Sequence, residues 1–178
     1  MLPIEYIPRY TVEDYRKWKG DWELIEGVPF AMTPSPFGKH QKITGNLVTL
    51  LNIQRENCLE KNINVYVELD WIINDNTVVR PDVSVLCREV DEYIKTTPEA
   101  IFEVVSKSTA LKDEKIKFEL YREEGVKFYI LVYPDIKKVR AFRLNNREYE
   151  KVFDDEDGIF SFNLCGCDFG LNIKKVFS

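Results

Sequence analysis

Two acids stand beside or inside apolar runs of this chain, and a lysine-bearing amphipathic stretch follows them. Asp82 lies in Arg80-Pro81-Asp82-Val83-Ser84-Val85-Leu86, and Glu103 in Ala100-Ile101-Phe102-Glu103-Val104-Val105. Lys115, Lys117 and Tyr121 come next, on a segment of helical spacing. A carboxylate in an apolar strand is costly to bury unless its charge is compensated. Two on neighbouring strands are costlier, because like charges repel. A divalent cation removes that cost. Asp and Glu oxygens suit Mg²⁺ or Mn²⁺, and a nearby lysine stabilises an anionic transition state. The chemistry these residue types point to is metal-assisted attack on a phosphodiester.

The elements that must position these groups can be read from periodicity. Thr11 caps a short helix running to about Lys19, stopped by Gly20. Two short strands, Trp22 to Glu26 and Val28 to Met32, meet at Gly27, and Thr33-Pro34-Ser35-Pro36 is an extended loop. From about Gly38 to Glu60, Ile43, Leu47, Leu50, Leu51 and Cys58 recur at helical spacing. Ile63 to Leu69 alternates as a strand, and Trp71-Ile72-Ile73 reads as a continuation of the same sheet. Val78 to Leu86 is one further run, with Pro81 marking an edge or bulge. Arg88 to Pro98 is polar and reads as a surface connection. A strand from Ala100 to Val105 precedes a helix from about Leu111 to Glu124 that ends at Gly125. Lys127 to Val132 is another strand, and Lys138 to Leu144 with Glu148 to Phe153 form a hairpin around Asn145-Asn146. The expected fold is a single mixed α/β (α+β) domain over 1–178. It has a central mixed sheet flanked by helices and a C-terminal β-hairpin.

Composition bounds the function. At 178 residues and 44% hydrophobic the chain has room for one real core, and 13% aromatic content argues against disorder. The net charge of −5 is unlike a dedicated nucleic-acid binder, which is usually basic. Any such contact must use a local patch or depend on metal ions. The N-terminal residues lack a signal-peptide pattern, and no apolar run approaches the roughly 18 residues of a spanning helix, so a cytoplasmic protein with no membrane partner is expected. Cys58 and Cys87 fall in apolar patterns and read as packing residues. Cys165-Gly166-Cys167 suggests a thiol or metal pair, but no second pair or histidine follows it, and structural cysteines are the commoner meaning.

The pieces now in hand resemble the Uma-two family, which is placed in the restriction-endonuclease-like, PD-(D/E)XK nuclease superfamily. They are Glu23-Leu24-Ile25-Glu26-Gly27, the Thr33-Pro34-Ser35-Pro36 loop followed by His40, Arg80-Pro81-Asp82-Val83, Glu103-Val104-Val105-Ser106-Lys107-Ser108-Thr109, and Lys117-Phe118-Glu119-Leu120-Tyr121-Arg122-Glu123-Glu124-Gly125-Val126. Order and spacing together carry the resemblance, over about Trp22 to Val152. It implies a restriction-endonuclease-like sheet, with Asp82 and Glu103 as the two core acids. The superfamily's lysine, two residues after the second acid, is replaced here by Val105. The resemblance implies that Lys117, on the following helix, supplies the charge instead, with Lys115 on another helix face. It also brings forward Glu23 as an acid reaching the metal, directly or through water.

In such a site Asp82 and Glu103 hold one Mg²⁺ or Mn²⁺ ion, and the Val104 carbonyl is a third ligand. Lys117 positions the attacking water or stabilises the developing oxyanion. His40, the sole histidine, ligates the ion or shuttles a proton, against the plainer reading of a helix-start histidine bonded to backbone or solvent. For the acids the plainer reading is that Asp82 caps a turn and Glu103 pairs with Lys117. Since residues i and i+2 share a strand face, Glu23 and Glu26 point to opposite sides. Trp18, Trp22 and Trp71 either stack bases or, more commonly, pack in a core or dimer contact. The leading expectation is a metal-dependent endonuclease-like hydrolase acting on DNA. Its rivals are a non-catalytic binding or assembly protein that retains the fold, and a hydrolase of a small phosphorylated substrate. A homodimer would suit cleavage of both strands, through the Lys138 to Phe153 hairpin or the strands near Trp71.

Overall fold

The structure, a computed structural model, describes residues 8–32 and 38–178. The proline-rich loop over 33–36 lies outside them. Helix α1 (Val12–Tyr15) is shorter than expected, and Thr11 and Asp14 close a capping box at its start. Strands β1 (Trp22–Ile25) and β2 (Val28–Ala31) turn on Glu26 and Gly27, both at positive φ. Gly27 has φ 77°, and a β-carbon there would also stand a tight 3.2 Å from the Tyr10 carbonyl oxygen. Helix α2 (Gly38–Arg55) buries Ile43, Leu47 and Leu51 and tightens into a 3-10 turn over Glu56–Lys61.

Strands β3 (Asn64–Val67), β4 (Trp71–Asn74), β5 (Thr77–Val79), β6 (Val83–Leu86) and β7 (Ala100–Val104) follow. A π-helical turn, Lys112–Ile116, leads into α3 (Lys117–Glu123). The chain ends with β8 (Phe128–Tyr133), β9 (Lys138–Asn145), β10 (Glu148–Asp155), β11 (Ile159–Leu164), β12 (Cys167–Asn172) and α4 (Ile173–Val176). Six strands form the central sheet in the order β10-β9-β8-β7-β6-β3. Only β7 and β8 pair in parallel there, joined by the crossover that carries α3. This is the mixed sheet expected from sequence. The expected hairpin is β9-β10, and a second hairpin, β11-β12, lies beyond it.

The structure corrects three boundaries. The Trp71 segment does not continue the strand before it: β4 belongs to a separate four-stranded sheet, β2-β1-β5-β4, because Glu68 at φ 47° turns the chain out of line. The Val78 to Leu86 run is likewise two strands, in different sheets. Pro81, which lacks an N–H, breaks the ladder between them. The 88–98 connection is not wholly superficial, since Ile94 is buried and bonds through its backbone to Asp70 and Ile72.

Alternation along β7 divides the core. Ala100, Phe102 and Val104 pack with α2, β11, β12 and α4 on one face. Ile101 and Val105 pack with Trp71, Tyr121 and Tyr129 on the other. Trp71 is thus interior, stacked on Tyr121 with ring centroids 5.9 Å apart, and offers no dimer surface. The cysteines are paired rather than free. Cys58 bonds Cys167 and Cys87 bonds Cys165, so the tight Cys165-Gly166-Cys167 turn is tied to two separate elements. No helix among the described residues is long and apolar enough to cross a membrane.

Candidate active site

Register brings the two acids together. Val83 pairs with Phe102 in the antiparallel β6-β7 ladder, so Asp82 and Glu103 fall opposite each other one step further. The Val104 N–H donates to Asp82 Oδ2 at 2.6 Å, and the Asp82 N–H points at Glu103 Oε2 at 3.4 Å. Glu103 shares the strand face of Ile101 and Val105 and so meets the helix that follows. Lys117 Nζ donates to Glu103 Oε1 at 2.8 Å, and the Tyr121 hydroxyl donates to the same oxygen at 2.9 Å. Asp82, Glu103 and Val104 line a cleft of about 120 Å³.

Glu23 is fully buried in β1, whereas Glu26 lies past the strand's end in the turn and is exposed. Both Glu23 oxygens are occupied. Oε1 accepts from Lys117 Nζ at 2.7 Å and from the Arg80 N–H at 2.9 Å, and Oε2 accepts from Lys112 Nζ. Glu23 therefore clamps two lysines, and each of its oxygens already has a protein donor. The π-turn makes this possible. Residues five apart lie about 140° apart on a regular α-helix, whereas i→i+5 bonding stacks them on one face. Lys112 and Lys117 thereby reach one carboxylate. Lys115 is exposed on another face, as expected.

His40, at the start of α2, places Nε2 3.2 Å from Asp82 Oδ2. It holds the acid, and its buried Nδ1 has no partner among the described residues. Asp113, Lys112, Arg80 and Glu68 also line the cleft, and sequence reasoning gave none of them a place in the site. Asp113 is buried with Oδ1 4.0 Å from Lys117 Nζ, an i,i+4 pair that helical spacing could have revealed. Lys112 had no such signal, because π spacing is not foreseeable from an α-helical pattern.

Electrostatics follows from this packing. Burial, reinforced by Asp82, Asp113 and Glu23, pushes Glu103 well above the usual carboxylate range despite Lys117. Burial raises Asp113 likewise. Burial also acts to raise Glu23, but Lys117 and Lys112 outweigh it and hold Glu23 low. Burial would lower Lys117, yet Glu103, Glu23 and Asp113 keep its ammonium charged. Burial opposes a charge on His40, and Asp82 overcomes it, raising the imidazole. Among the described residues no three His, Cys, Asp or Glu side chains stand together as a ligand set. The oxygen donors that line the cleft are the Asp82 and Glu103 carboxylates, with Glu68 and Asp113 beside them. Acids outnumber cations here, and Glu103 is driven to hold a proton. All-oxygen donors with surplus negative charge fit a hard divalent cation.

A mixed sheet carrying facing acids at its β6-β7 junction, with a lysine delivered by the crossover helix, defines a nuclease-like domain. The chain belongs to the Uma2 family, described as "putative restriction endonuclease", whose match spans residues 12–166. The fold is similar to that of a protein from Anabaena variabilis described as a "putative nuclease belonging to DUF820". The two share 22% identity and superpose with a TM-score of 0.76 over 94% of this chain and 97% of the other. No curated protein matches the chain.

Proposed function

We propose that this protein is a Mg²⁺- or Mn²⁺-dependent endonuclease that hydrolyses phosphodiester bonds in DNA. The observation that carries the reading is the facing pair Asp82 and Glu103, both lining the cleft, beside the buried ammonium of Lys117. Asp82, Glu103 and the Val104 carbonyl would hold the ion. When bound, such an ion lowers the pKa of water and polarises the phosphoryl oxygen. Lys117 offsets negative charge developing on the phosphoryl oxygens, Glu23 keeps that ammonium in place, and His40 fixes the orientation of Asp82. Family membership supports nucleic acid as the substrate class. A homodimer would place two such sites for the two strands of a duplex.

The test is a calorimetric Mn²⁺ titration of the wild type beside Asp82→Ala and Glu103→Ala. Binding in the wild type and its loss in both variants is the expected result. No binding in the wild type would favour a non-catalytic protein that keeps the fold. That second reading draws on the ion-free neutralisation of Glu23 and Glu103 by Lys117.

A further inference from the structure

Beside the acidic cleft lies a second cavity of about 220 Å³, walled by Tyr15, Trp18, Trp22 and Tyr93 with Asp70 and Arg80 on its polar side. Arg80 belongs to both. Its backbone N–H donates to the buried Glu23, while its guanidinium pairs with Asp70 of the aromatic cavity. There Nε donates to Asp70 at 2.7 Å and Nη1 to Asp21 at 2.6 Å. Nη2 has no protein acceptor among the described residues. Asp70 is held on its other oxygen by the Tyr15 hydroxyl at 2.8 Å. The polar groups are thus fixed before any ligand arrives. Trp18 stands edge-on to Tyr15 and Trp22, with centroids 5.8 Å away in each case, so these rings form one aromatic wall. Tyr93, 41% exposed, stands at the opposite chain segment and leaves the cavity open to solvent.

We infer that this cavity takes an unpaired nucleobase of the strand whose phosphate lies in the cleft, an inference that rests on the nucleic-acid reading above. Three features converge on that ligand. The walls are aromatic, and every base has a π-face. Asp70 and Arg80 offer an acceptor and an N–H to a base edge; Arg80 is already offset by Asp70 and Asp21, and Arg16 is the remaining cation of the lining. The chain carries a net charge of −5, so a backbone grip by counterion release is weak and stacking must supply affinity. Only Pro81 separates Arg80 from Asp82, which makes the base pocket contiguous with the proposed reacting phosphate.

The experiment is a tryptophan-emission titration with a short single-stranded oligodeoxynucleotide in EDTA, against an abasic strand of equal length. Neither probe needs a metal or cleavage. The expected result is an emission change with the base-bearing strand and binding weakened roughly 5- to 100-fold for the abasic one. Trp18→Leu and Tyr93→Ala should weaken the base-bearing strand by a similar factor. Tyr93 is solvent-exposed, so its variant keeps the test valid if Trp18→Leu misfolds. Equal affinity for both strands, or an unchanged emission, overturns the base pocket. Base-dependent binding without Mn²⁺ binding would instead uphold the pocket and overturn the hydrolase.

Discussion

Lys117 is 2% exposed and lies between Glu103, Glu23 and Asp113. Removing one partner of a buried ionic cluster is far costlier than replacing the cluster, because it strands the remaining charges. Lys117→Ala should therefore lose about 3–5 kcal/mol in denaturant unfolding without metal, and saturating Mn²⁺ should restore part of it by replacing the lost charge. If the proposed hydrolysis operates, turnover should also fall by about 10²–10³-fold. Glu103 gives a pH signature. Burial and its acidic neighbours raise its folded pKa, so the native state keeps a proton that the unfolded chain releases. That contribution is complete below the ordinary carboxylate pKa and is lost as pH rises through the raised value. The stability of the wild type relative to Glu103→Gln, followed by urea melts, should decline from acid to neutral pH. A flat difference would mean that Glu103 is already ionised beside Lys117.

At the scale of elements the π-turn is the informative departure. It costs helix regularity and places Lys112 and Lys117 on the two oxygens of Glu23. Lys112→Ala should destabilise by about 1.5–3 kcal/mol, the range for hydrogen bonds to charged groups. Here the pH dependence has the opposite sign. Despite burial, the two lysines hold the folded pKa of Glu23 low, so its contribution is present above the ordinary carboxylate pKa. It disappears as pH falls through the lowered value. The difference between wild type and Lys112→Ala in urea melts should be largest near neutrality and shrink in acid. The register of β6 against β7 is the second element-scale device: a slip of one residue would turn Glu103 away from the helix and bury a hydrophobic side chain's place with charge.

Across the whole molecule, two disulfides anchor the β11-β12 hairpin over the α2 face of the sheet. They span 109 and 78 residues, separations for which loop closure is worth about 4.5–5 kcal/mol each on the chain-entropy account. Reduction should lower the melting temperature by many degrees, and thiol titration of the unreduced, unfolded protein should find no free cysteine. Disulfides persist in oxidising compartments and in the intracellular proteins of hyperthermophiles. A cytoplasmic protein of a mesophile should show four titratable thiols, so the same titration tests the location expected from sequence.

Local pattern was enough for the strand alternations, the Gly27 turn, the β9-β10 hairpin and the acids themselves, because periodicity and turn chemistry act over a few residues. Apolar surroundings marked Asp82 and Glu103 as groups needing compensation, and the family resemblance singled out Lys117, Glu23 and His40. Tertiary structure decided what each one touches. The division of the Val78 to Leu86 run between two sheets, the seat of Trp71 in the core and the pairing of the cysteines all depend on contacts between distant segments. So does the role of Glu23, whose oxygens meet lysines 89 and 94 positions away only because a π-turn stacks those lysines on one face. Periodicity fixes which face a side chain takes, but the partner waiting on that face is set by packing of the whole chain.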